Sequence, residues 1–223
     1  MAEATPGTVA VLTGDIVGST ALPAGDLERV FTRLSSAHGI AAAWPLRIGP
    51  LGRFRGDGWQ ILVGEPGRAL RLALFLRASL MAEDARFDTR VSVGIGPGAF
   101  STADPSELDA AAFRLSGRGL DSMRRSERLA MVTEQAPRLL GPAIALCDAI
   151  AQRWTPAQCT VLGHALAPSP PLQKEIAAAL GHRPQSVSEH LAGAAFGPVS
   201  ALLSEVEQFW RVAAQQPETG LIA

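Results

Sequence analysis

Apolar and polar positions follow two different periods along the first 150 residues, and each change of period marks a new element. Val9 to Thr13 is a short β-branched run that predicts a strand. Gly25 to Trp44 then takes up helical spacing through Leu27, Val30, Phe31, Leu34 and His38. A turn-rich stretch from Pro45 to Gly52 leads to a predicted strand at Arg53 to Arg55, and Gly56-Asp57-Gly58 reads as a hairpin turn before the strand Trp59 to Val63. Pro66 opens a helix whose residues Ala69, Leu70, Leu72, Ala73, Leu76, Ala78 and Leu80 are apolar on nearly every side, which predicts deep burial. Arg90 to Gly96 alternates as a half-buried strand. Strand, helix, strand, strand, helix, strand is the split βαβ order of a ferredoxin-like antiparallel sheet with helices on one face.

Beyond it the pattern predicts a helical region over Asp104 to Arg125, an extra strand at Leu129 to Thr133, and a helix over Glu134 to Arg153 interrupted near Gly141-Pro142. Trp154-Thr155-Pro156 has the form of a helix cap followed by proline in the first turn, and a domain boundary is expected there. The chain thus divides into an α+β domain, 1–150, and a small all-α domain, 151–223. In the second, Pro171 to Leu180 is a helix-forming run ended by Gly181, and Pro184 to Leu191 starts another. Ala177, Gly181 and Val187 fall where a helix-turn-helix needs a small contact residue, a turn glycine and a buried aliphatic. Thr155 to Leu166 supplies a supporting helix and Val199 to Val212 a closing one.

Composition narrows the class. Apolar residues make up 47% and charged residues 18%, values of a soluble globular protein. The start carries no signal-peptide pattern and no apolar run is long enough for a bilayer, so no membrane association is expected. The two cysteines, Cys147 and Cys159, are too few for a disulfide framework and read as buried thiols of a cytoplasmic protein. From residue 151 onward four basic residues face five acidic ones, so the second domain lacks the positive field that drives non-specific nucleic-acid binding.

The informative chemistry is a pair of acids about forty residues apart, Asp15 in Thr13-Gly14-Asp15-Ile16-Val17-Gly18-Ser19-Thr20 and Asp57 in Phe54-Arg55-Gly56-Asp57-Gly58. Each is flanked by glycine and lies at the end of a predicted strand, so adjacent strand ends can bring both carboxylates together. Two hard oxygen ligands suit Mg²⁺, or Mn²⁺, which fills its remaining positions with water and substrate phosphate. Ile16, Val17, Gly18, Ser19 and Thr20 then form a turn whose N–H groups and hydroxyls can cradle a triphosphate beside the metal. Without a Gly-Lys-Ser/Thr ending the turn is not a P-loop.

These motifs, with Arg90-Val91-Ser92-Val93-Gly94-Ile95-Gly96, resemble in order and spacing the three signatures of class III nucleotidyl cyclase domains. A fuller resemblance, including the C-terminal helix-turn-helix, is to small bacterial SatD-like proteins. It implies a palm-type sheet, Asp15 and Asp57 as metal ligands with the Ile16 carbonyl beside them, and Arg53 at the position of a base-reading lysine. Arg118 falls at the transition-state arginine, and Arg114 stands where the family has a ribose-orienting asparagine. Glu107 and Asp109 are the candidates for a second base-reading carboxylate. A homodimer is implied as well.

If the helix-turn-helix reads double-stranded DNA, Gln185, Ser186, Ser188 and Glu189 face base edges and Arg183 a phosphate. The expected function is a nucleotide- and Mg²⁺-binding domain coupled to DNA binding, a nucleotide-responsive transcriptional regulator. The alternative is an active nucleotidyl cyclase or nucleotidyltransferase on ATP or GTP, with the helical segment serving dimerisation.

Overall fold

The computed structural model describes residues 7–105, 108 and 110–215. Its strands are β1 (Gly7–Ile16), β2 (Gly52–Phe54), β3 (Gly58–Val63), β4 (Thr89–Gly98) and β5 (Leu129–Thr133), and they form one sheet in the order β2-β3-β1-β4-β5. Its α-helices are α1 (Asp26–Ala41), α2 (Ala69–Glu83), α3 (Ala111–Ser122), α4 (Leu140–Ala151), α5 (Pro156–Ala165), α6 (Gln173–Leu180), α7 (Pro184–Gly193) and α8 (Phe196–Ala213). Among the described residues no helix is long and apolar enough to cross a membrane.

β1 is the centre of the sheet because both its faces are buried. Ala10, Leu12 and Ile16 point into the main core with α1 and α2, while Val9 and Val11 point to the opposite face, where Ala112 of α3 covers them. β1 pairs antiparallel with β3 on one side and β4 on the other, which is the ferredoxin-like arrangement expected from the element order.

Two features depart from that expectation. β5 pairs with β4 in parallel, so the sheet is mixed rather than antiparallel. Parallel neighbours need a crossover, and α3 supplies it. α3 also lies on the face away from α1 and α2, so helices cover both faces instead of one. Its close approach rests on glycine. A β-carbon on Gly94 would lie 2.3 Å from the Ser116 nitrogen and 2.4 Å from the Ala112 oxygen.

α2 is the most deeply placed helix, with every residue from Ala69 to Met81 buried. The sheet lies on one side of it and the C-terminal helices on the other. Burying a leucine such as Leu74 contributes about 1.5–3 kcal/mol. Two arginines of α2 are buried with it and are paired. Arg71 bonds Glu207 of α8 at 2.5 Å, and Arg77 bonds Asp88 at 2.9 and 3.0 Å and Asp148 of α4 at 3.2 Å. One cluster of buried side chains therefore runs from Ala10 through α2 to Trp154 and Trp210.

Gly141 and Pro142 do not interrupt a helix as expected, because α4 begins at Leu140 and both residues sit in its first turn, where a missing N–H costs little. Thr155 caps α5 with a capping box shared with Gln158, and Pro156 takes the first helical position. α6 ends at Gly181, whose φ of 66° is the left-handed conformation that glycine adopts freely. The turn to α7 follows, with Ala177 and Val187 buried.

Candidate functional site

The site forms where β1 ends between its two neighbours. In the sheet register Asp15 lies opposite Gly58 of β3 and opposite Arg90 of β4. Opposed residues of an antiparallel pair project to the same face, so Asp15 and Arg90 meet. The Arg90 guanidinium grips both carboxylate oxygens, Nε donating to Oδ1 at 2.8 Å and Nη2 donating to Oδ2. That hydrogen bond, the largest contribution, raises the Arg90 pKa further above its usual value, aided by the charges of Asp15, Asp57 and Asp121.

Asp57 reaches the same place through the β2–β3 hairpin. The hairpin turn comprises Arg55, Gly56 and Asp57, with φ of 50° and 84° at the first two, one residue earlier than the expected Gly56-Asp57-Gly58. Asp57 is thereby returned toward the sheet, and the Ile16 N–H donates to its carbonyl at 3.2 Å. Its side-chain Oδ2 accepts the Ser19 hydroxyl at 2.5 Å. Ser19 follows Gly18, whose φ of 63° bends the chain back over the end of β1. The N–H groups of Gly18, Ser19 and Thr20 donate to no backbone carbonyl among the described residues.

Asp15, Asp57 and the turn Ile16–Thr20 line one pocket of about 410 Å³, together with Arg90, Arg125 and Arg128. Two carboxylates thus face three guanidiniums. Arg128 is held in place. Its Nη1 donates to the carbonyls of Arg125 at 2.6 Å and Glu127 at 3.1 Å, and its Nε lies 3.7 Å from Asp88. Arg125 is exposed, with no side-chain hydrogen bond or ion pair among the described residues.

The wall behind the pocket is rigid. The Trp59 indole, fully buried, donates to the Thr89 hydroxyl at 2.9 Å, and that hydroxyl donates to the Asp15 carbonyl at 2.6 Å. Asp88, next in the chain, accepts the Val17 N–H through its carbonyl at 3.0 Å and pairs with Arg77 through its side chain.

A divalent cation suits this donor set in part. Asp57 offers an oxygen that accepts from no described group, and Asp15 offers two oxygens that Arg90 now occupies. Among the described residues no group of three or more His, Cys, Asp or Glu side chains converges, and the pocket holds two carboxylates.

The other expected site residues lie elsewhere. Arg53 forms two bonds to Glu28 of α1, at 2.9 and 3.0 Å, and its guanidinium lies 3.8 Å from the centre of the Phe31 ring. It fastens β2 to α1 and does not line the pocket. Arg114 and Arg118 are exposed on α3 and do not line it either. Glu107 and Asp109 fall outside the described residues. Arg183, just before α7, and Gln185 and Ser188 on it are exposed and Ser186 is partly so, with Gln185 bonded to Glu189 at 3.1 Å.

Residues that pattern reading missed are Arg90, Trp59 and Thr89. Arg90 had a signal, since it opens the strand that flanks β1, but its partner follows only from the register. Arg125 and Arg128 belong with Arg114, Arg118 and Arg124 to an arginine cluster that can form an anion-binding face but reads more readily as solvated surface, and of the five these two line the pocket.

No protein-family model matches this chain, and no curated protein sequence does. Among solved structures the chain resembles the active GGEEF domain of a diguanylate cyclase from Vibrio cholerae, with a TM-score of 0.42 and 14% identity over 58% of this chain and 85% of that one.

Proposed function

We propose that the pocket binds the phosphates of a nucleoside triphosphate with one divalent cation and serves nucleotidyl transfer, as a cyclase or related transferase. The observation that carries this reading is the meeting of Asp15 and Asp57, distant in sequence, in one pocket that also holds three arginines and a tight backbone turn. Carboxylates alone would repel a triphosphate, and arginines alone would need no carboxylates. Both together suit a phosphate chain that carries its own metal.

Each residue has a part. Arg125 and Arg128 neutralise phosphate oxygens, and the N–H groups of Gly18, Ser19 and Thr20 cap the chain end. Asp57, oriented by Ser19, presents its open oxygen to the cation, and Asp15 supplies the second carboxylate. When bound, Mg²⁺ or Mn²⁺ supplies charge neutralisation at the phosphates and activation of the attacking hydroxyl. Trp59 and Thr89 keep the end of β1 from shifting, which matters because alignment of the attacking group governs such displacements.

The DNA-reading role expected of α7 gains nothing beyond the exposure of its side chains, so function is assigned to the pocket. The test is pyrophosphate release from ATP and from GTP with Mg²⁺ or Mn²⁺, run beside equilibrium binding. Binding and release that Asp57→Ala abolishes are expected. Wild-type protein that neither binds nor cleaves a triphosphate overturns the reading.

A further inference from the structure

The clamp between Asp15 and Arg90 has a chemical consequence for how the proposed site fills. Both Asp15 oxygens already accept from one guanidinium, so a divalent cation meets that carboxylate with half of its lone pairs taken and a positive group beside it while the clamp is closed. Two positive centres on one carboxylate repel each other at contact distance. Asp57 is not clamped in this way. Among the described residues its side chain hydrogen-bonds a neutral hydroxyl, that of Ser19, and feels Arg90 only through charge.

Arg90 also has somewhere to go. Its side chain is about a quarter exposed, at 27%, and it lines the same pocket as Arg125 and Arg128. The planar fork that fits a carboxylate fits a phosphate equally well, because both offer paired oxygens at similar spacing. A polyphosphate entering beside Arg125 and Arg128 therefore competes with Asp15 for the Arg90 fork. Release of the fork uncovers the Asp15 oxygens.

Building on the nucleotide reading above, we infer that Arg90 is a latch that withholds Asp15 from metal until a polyphosphate draws the guanidinium away. The polyphosphate binds first, and the metal completes its coordination only afterwards. Free Mg²⁺ or Mn²⁺ does not occupy the empty protein, and a polyphosphate without metal still binds.

Two titrations test this on the full chain. In the first, Mn²⁺ alone is titrated and followed by the loss of the free-ion electron paramagnetic resonance signal, for wild type, Arg90→Gln, Arg90→Lys and the double variant Arg90→Gln/Asp15→Asn. In the second, inorganic tripolyphosphate is titrated with a chelator present, by calorimetry. Arg90→Gln is expected to bind Mn²⁺ at least tenfold more tightly than wild type, and adding Asp15→Asn is expected to cancel that gain. Arg90→Lys, which keeps the charge without the fork, is expected to fall between. Wild type is expected to bind metal-free tripolyphosphate, and Arg90→Gln to bind it several-fold more weakly.

Equal Mn²⁺ affinity in wild type and in a folded Arg90→Gln or Arg90→Lys variant overturns the latch. If ATP with Mn²⁺ still binds wild type in that case, the nucleotide reading survives alone. If wild type binds neither tripolyphosphate nor ATP with Mn²⁺, both fall together.

Discussion

A β-carbon on Gly14 would lie 2.4 Å from Cε2 of Trp59, so the residue before Asp15 is glycine because the indole lies directly across the strand. The same β-carbon would sit 2.6 Å from the Arg90 carbonyl oxygen, leaving no direction in which to yield. Gly14→Ala is therefore expected to destabilise the protein by about 3 kcal/mol, as overpacking of a filled site does. For a chain of this size that lowers the midpoint of thermal unfolding by roughly 6–12 °C. A variant as stable as the parent would show that Trp59 does not hold this position.

Thr89→Val tests the next link in the same wall. It keeps the shape of the side chain but removes the acceptor for the Trp59 N–H and the donor to the Asp15 carbonyl. An unsatisfied buried donor costs about 1–3 kcal/mol. Loss of that size in chemical denaturation is expected, with triphosphate affinity falling as well. Unchanged stability would mean the indole finds another partner.

The strands, their order and both acids were legible along the chain, because alternation of period two and flanking glycines are local signals. What was not legible depends on register. Arg90 and Asp15 are neighbours only once β1 and β4 are aligned, and no local pattern states that alignment. Arg53 stands four positions before Asp57, where the resemblance to cyclase domains implies a base-reading residue. The reversed backbone at Arg55 and Gly56 separates them, and Arg53 stacks on Phe31 instead. The parallel pairing of β5 was hidden for a related reason, since a short apolar run is compatible with either direction.

Arg125 and Arg128 should separate binding from stability. Arg125 has no described side-chain partner, so Arg125→Ala is expected to leave unfolding within about 0.5 kcal/mol of wild type. Triphosphate affinity should fall about five- to tenfold, near 1 kcal/mol for an exposed charge, and fall less at high salt. Arg128→Ala should reduce both quantities, because Arg128 also holds the Arg125 and Glu127 carbonyls. Affinity unaffected by either change would remove these arginines from the site.

Arg77 is fully buried between Asp88 and Asp148. Arg77→Met would leave Asp148 without an ion-pair partner and Asp88 with Arg128 alone, and removing one partner of a buried ion pair costs about 3–5 kcal/mol. The expected loss appears in equilibrium unfolding. It should shrink in the triple variant Arg77→Met/Asp88→Asn/Asp148→Asn, where no charge is left uncompensated, and a loss that persists there would assign the cost to packing.

Burial pushes the Cys147 thiol up to about 11 and the Cys159 thiol up to about 12. Reaction with thiol reagents requires the thiolate, so both are expected to stay unmodified in the folded protein at pH 8 and to react on unfolding. The unfolded chain releases these protons near its ordinary value of 9.0, while the folded chain keeps them. The thiols' contribution to folding stability is therefore fully present below pH 9 and is lost as pH rises from there through 11 to 12. Rapid modification of either thiol in the native state would contradict the packing around α4 and α5.

In the proposed function Asp15 and Asp57 grip one divalent ion beneath a triphosphate. Crystals grown with a non-hydrolysable ATP or GTP analogue and Mn²⁺, measured for anomalous scattering, test it most directly. A manganese peak within about 2.2 Å of a carboxylate oxygen from each of the two acids, with phosphate on its far side, is expected. A peak that touches neither acid, or triphosphate bound outside this pocket, would contradict it.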